Sequence, residues 1–156
     1  MLEVGFSVWP KRNWWKMASN GAVELKSGRQ PLPSAQVLTQ WAVEKPEALD
    51  VILEAPVFLP GPRQKKTTDE MEFFNQRALE NWHRTTTAAA VLKAGAVLLR
   101  SPAALTPSAR NIRIFIDFFK NGPLPPCPVV WQAAGLWIAE QQAEICDEGG
   151  FVLAFD

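Results

Sequence analysis

The chain has 156 residues, 47% of them apolar and 21% charged, with sixteen basic residues against sixteen acidic ones. That length suits a single domain over residues 1–156 with a full hydrophobic core, and the composition excludes wholesale disorder. Zero net charge argues against a free-standing basic nucleic-acid binder, while leaving room for a local basic patch.

Residues 2–9 (LEVGFSVW) read as a strand, Pro10–Asn13 as a turn, and Trp14–Ala18 as a second strand. Ser19-Asn20-Gly21 is a strong turn signal, and Ala22–Lys26 a third strand closed by Ser27-Gly28. Two tight turns between three strands predict an antiparallel meander. The period then changes. Ser34 can cap a helix in which Val37, Leu38, Trp41 and Ala42 recur at helical spacing, and Pro46 ends it. Leu49–Ala55 (LDVILEA) is an almost continuous apolar strand, the pattern of a strand covered on both faces.

Pro56–Lys66 is a loop rich in proline and basic residues. Asp69 with Glu72 has capping-box spacing, and a helical region follows through Met71, Phe74, Ala78 and Trp82, continuing or restarting over Thr86–Leu99. Pro102 and Pro107 mark a loop. Ile112–Phe118 (IRIFIDF), rich in β-branched and aromatic residues, reads as a strand. Asn121–Pro128 is a loop, Val129–Ile145 a helix, and Phe151–Phe155 a last short strand. The order β-β-β-α-β-α-β-α-(β) predicts an α/β fold with a mixed sheet and helices packed on it, the RNase H-like order.

Cys127 and Cys146 are the only cysteines. With a helix between them their separation would be about 28 Å, far beyond disulfide reach, so both should be free thiols. The N-terminus lacks a basic region followed by an apolar run, so it does not read as a signal peptide. The longest apolar stretch, around Ala88–Leu99, contains Lys93 and is too short for a bilayer. The expected setting is cytoplasmic, with no membrane partner.

Three segments resemble an uncharacterised prokaryotic family described as predicted nucleases with an RNase H fold. They are Val4-Gly5-Phe6-Ser7, Val51–Pro60 (VILEAPVFLP), and the run from Gln132-Ala133 to Leu153 that closes on Cys146-Asp147-Glu148-Gly149-Gly150-Phe151-Val152. The resemblance implies acidic residues from the first strand, the fourth strand and the last helix meeting above the sheet, holding Mg²⁺ or Mn²⁺ for phosphodiester hydrolysis. Glu54 matches the fourth-strand acid and is the implied catalytic and metal residue. Ser7 and Gln132 stand where the family's other two acids are expected, so the implied metal site is degraded and hydrolysis weak or absent. Asp117 is a candidate substitute.

Each candidate has a plainer reading beside it. Glu54 either holds a metal or is a strand-end acid that reaches solvent or pairs with an arginine; burial of an unpaired carboxylate is costly, so a defined partner is expected. Glu80-x-x-His83 has the spacing of a di-iron motif but no second copy, so His83, the only histidine, reads as an ordinary surface or half-buried residue, which leaves no histidine for a Ser-His-Asp or Cys-His arrangement and excludes those triads. Lys11, Arg12 and Lys16 crowd Trp9, Trp14 and Trp15, and Arg63, Lys65 and Lys66 crowd the loop after Glu54. Basic residues among aromatics can grip a nucleic-acid strand, or can be solvated turns beside core tryptophans. Trp14 and Trp15, consecutive on a strand, would face opposite ways; if no helix covers one of those faces, one ring is exposed and marks a protein-partner or homodimer surface, which makes an adaptor on the same scaffold the alternative function.

Overall fold

The structure is a computed structural model and describes residues 5–8, 13–17, 21–26, 32–58 and 73–154. Six strands are joined in one sheet in the order of the chain: β1 (Gly5–Val8), β2 (Gly21–Leu25), β3 (Leu49–Glu54), β4 (Ala96–Arg100), β5 (Val129–Gln132) and β6 (Phe151–Leu153). Every neighbouring pair is parallel. Helices α1 (Ala35–Glu44), α2 (Gln76–Leu92), α3 (Ala109–Asn121) and α4 (Ala139–Gly149) fill the four connections from β2 onward. Parallel strands need such crossovers, and right-handed crossovers along an unreversed strand order place every helix on the same face. This is the winding of a β/α barrel wall rather than of a doubly wound sheet.

The burial pattern agrees. Val23, Leu25, Leu49, Val51, Leu53, Val97, Leu99, Val129 and Trp131 are buried beneath the helices. The alternate residues of β3, Ile52 and Glu54, are only half-buried. The prediction that this strand is covered on both faces therefore fails among the described residues, where helices lie on one face only and the other is half-buried. Against the covered face, α1 buries Leu38 and Trp41, α2 buries Trp82 and Leu92, and α3 buries Ile112, Phe115, Ile116 and Phe119. Phe115 is a hub, its ring 5.2 Å from Trp131, 5.1 Å from Phe119 and 5.6 Å from Phe151.

The mixed RNase H-like sheet is thus corrected to an all-parallel one, and four local readings change with it. First, Trp14–Met17 is a 3₁₀ turn, not a strand, and β1 runs parallel to β2. Trp14, Trp15 and Trp41 pack edge to face at 5.6–6.3 Å, so burying three indoles together outweighs the strand reading. Second, Ile112–Phe118 lies inside α3. Its buried positions 111, 112, 115, 116 and 119 recur at helical spacing, and Ser108 Oγ caps the helix by accepting from Asn111 N at 3.1 Å. Helical period and cap override β-propensity.

Third, the helical region expected through Leu99 stops at Leu92, where Lys93 adopts φ 50°, and Ala96–Arg100 is strand β4. Asn75 caps α2, its Oδ1 accepting from Ala78 N at 3.0 Å; the expected Asp69/Glu72 box lies outside the described residues. Fourth, the expected helix over Val129–Ile145 is strand β5, a loop, and then α4. Cys127 and Cys146 are both free, as expected, but a strand and loop lie between them along with helix. Burial raises both thiols above their ordinary pKa, with Asp147 adding to the effect at Cys146. Among the described residues no helix is long and apolar enough to cross a membrane.

Candidate functional site at the carboxyl edge of the sheet

Side chains alternate along a strand, so the residue beside each buried one points to the face without helices. Toward their carboxyl ends, β2 to β5 place Glu24, Glu54, Arg100 and Gln132 there, next to buried Leu25, Leu53, Leu99 and Trp131. The four meet at one guanidinium. Arg100 Nη1 donates to Glu24 Oε1 at 2.5 Å and to Glu54 Oε1 at 3.1 Å, while Nε donates to Gln132 Oε1 at 2.8 Å. Arg100 is directly beside Gln132 in register, whereas Glu24 lies two strands away, about 10 Å by strand spacing. The arginine side chain therefore reaches back over β3 to β2.

The backbone beneath this cluster is fixed. Ala55 N continues the ladder to Leu98 O at 2.9 Å, and Asn81 Nδ2 of α2 holds Pro56 O at 2.9 Å, which sets the exit of β3 beside Glu54. Ser101 N donates to Gln132 O at 3.1 Å, and Trp131 Nε1 donates to Ser101 Oγ at 3.2 Å. The Arg100 pKa is raised, first by the hydrogen bond to Glu24 and then by Glu54, with burial acting the other way. The guanidinium stays charged at every working pH. Its side chain is 36% exposed, and among the described residues nothing accepts from Nη2. Among the described residues the guanidinium is thus held through Nε and Nη1, with Nη2 between them carrying no acceptor.

Of the residues singled out from sequence, Glu54 and Gln132 are brought together through Arg100. Gln132 belongs to strand β5, not to a final helix as expected, and Ser7 sits in β1 in register with Glu24. Asp117 is on the exposed side of α3, not on a strand, and lines a groove of about 750 Å³ between α3 and α4 together with Arg113, Lys120, Glu144 and Glu148. That groove lies on the outer helical layer, and its walls mix both signs of charge. Lys16 is exposed, while Lys11, Arg12, Arg63, Lys65 and Lys66 lie outside the described residues. Trp14 and Trp15 are both buried, so the exposed ring expected as a partner surface is not there. His83 is exposed. Among the described residues no group of three or more His, Cys, Asp and Glu is placed to hold a metal, and the Arg100 cation occupies one side of Glu54.

Sequence reasoning missed Glu24 and Arg100. The signal was present: the short apolar runs GAVEL, LDVILE, AVLLR and VVWQ each carry a polar residue at or next to the carboxyl end.

No protein-family profile and no curated protein matches the chain. Two crystal structures of a DUF72 family protein from Enterococcus faecalis V583 are similar to it in fold, with TM-scores of 0.66 and 0.64 and identities of 15% and 16%. Each match covers 98% of this chain, which spans 60% and 61% of the lengths of those structures. Their fold is TIM-barrel-like, which agrees with the unreversed parallel order and overturns the resemblance to an RNase H-like nuclease family.

Proposed function

We propose that the carboxyl edge of this sheet binds a small uncharged polar ligand through Arg100. The supporting observation is one guanidinium hydrogen-bonded to side chains from three other strands while its Nη2 edge meets no described residue. In β/α barrel folds, binding and catalytic groups come from strand carboxyl ends, because the loops there vary while the strands hold position. Glu24 and Glu54 already meet the arginine charge, so Nη2 favours a neutral oxygen acceptor, a carbonyl or hydroxyl, over a third anion. The same balance argues against a phosphodiester as the preferred ligand; weak nucleic-acid binding or hydrolysis had its ground in the RNase H-like arrangement.

A thermal-shift panel of neutral amides and polyols, inorganic phosphate and a short single-stranded DNA tests the reading. Stabilisation by a neutral acceptor that disappears in Arg100→Met supports it. Stabilisation by phosphate or DNA alone, or by any ligand equally in both proteins, contradicts it.

A further inference from the structure

Resting on that reading, we infer that Ser101 is a positioning residue for Arg100: its buried hydroxyl ties the end of β4 to the core and so holds the guanidinium at the ligand-binding edge. Arg100 is the last residue of β4 and lies in register with Gln132, the last residue of β5. Ser101 N donates to Gln132 O at 3.1 Å, and the chain then leaves the sheet. Pro102 has no N–H with which to extend the ladder, and Leu105 N donates back to Pro102 O at 3.0 Å, closing a turn. Ser101 is therefore the final point at which β4 is held to β5.

Its side chain adds a second tie on the helix side. Ser101 is buried, and its Oγ accepts from Trp131 Nε1 at 3.2 Å. Trp131 is itself fully buried, its ring 5.2 Å from Phe115 and 5.2 Å from Trp137. On the opposite face Arg100 Nε donates to Gln132 Oε1 at 2.8 Å. The same rung is thus clamped from both sides, by Ser101 with Trp131 below and by Arg100 with Gln132 above. Strand ends fray where nothing follows to hold them, and Arg100 must reach back over β3 to Glu24, so looseness at its backbone would be carried along the whole side chain. Ser101 touches no ligand in this account; it acts through Arg100.

The test compares Ser101→Ala and Ser101→Thr with the unaltered protein, reading hydrogen exchange of the Arg100 Nε–H by NMR and affinity for acetamide as the neutral probe. Alanine is smaller than serine, so it fits the space but leaves Trp131 Nε1 without its acceptor; threonine keeps the hydroxyl. In Ser101→Ala the Arg100 exchange should quicken, and acetamide binding weaken, each by about two- to tenfold, the range of one hydrogen bond's net contribution. Ser101→Thr should restore both. Ile116→Val, a core change on α3, should lower stability without altering either readout. Unchanged Arg100 exchange in Ser101→Ala, or the same acceleration in Ser101→Thr or Ile116→Val, overturns the positioning role and leaves the binding site standing. Faster exchange with undiminished acetamide affinity overturns it as well. Absence of acetamide binding to the unaltered protein, with every other neutral amide and polyol also failing, overturns the site and this role in it together.

Discussion

The two faces of the sheet use the same strands for opposite purposes. Leu53, Leu99 and Trp131 are inaccessible beneath the helices, while their chain neighbours Glu54, Arg100 and Gln132 form a polar cluster on the other side. One residue of alternation separates a packing position from a site position. The buried face fixes where the strand ends lie, and the uncovered face inherits that precision, since each member of the cluster is attached next to a residue that cannot move without disturbing the core.

This contrast predicts unequal costs for similar substitutions. Leu53→Ala should destabilise the protein by about 2–5 kcal/mol, because it leaves a cavity in a close-packed layer. Ile52→Ala, one residue away on the half-buried face, should cost roughly 1 kcal/mol. Denaturant unfolding of both variants measures the difference. Equal costs would mean that the second face is also packed, and the distinction between the faces would break down.

Gly135→Ala sits next in size. A side chain must adopt a strained positive φ there and also press on the Ala103 backbone, so a loss of about 1–3 kcal/mol is expected. The same unfolding measurement checks it, and chemical shifts of residues 133–138 should move with it. A neutral outcome would show that the loop is not pinned.

Strands β2, β3 and β6 and helix α1 were readable from local pattern because burial and propensity agree there. The errors fall where they conflict. In α3 the aromatic and β-branched run IRIFIDF has strong strand propensity, yet its buried positions keep helical spacing and Ser108 supplies the cap. At β5, Val129 and Trp131 alternate inward for only four residues before the loop to α4, too short a stretch to show its period against the apolar residues that follow. The antiparallel reading of the N-terminal segment came from turn signals; the cluster of Trp14, Trp15 and Trp41 joins residues distant in sequence, and no local rule exposes it. The site was half legible. Glu54 was expected to have a defined partner, with an arginine among the readings, but naming Arg100 required knowing that Ala96–Arg100 is a strand and that β2, β3 and β4 are adjacent.

The central claim is that Arg100 is held as a fixed cation by Glu24, Glu54 and Gln132. Hydrogen exchange of the Arg100 Nε–H, followed by NMR, tests it directly. Exposed Arg77, Arg84 and Arg113 serve as internal references. The Arg100 signal should be distinctly slower to exchange than these three, and Gln132→Leu, which removes the acceptor of that hydrogen, should bring it toward their rate. An Arg100 Nε–H that exchanges as fast as the references in the unaltered protein would contradict the cluster, and with it the binding site built on it.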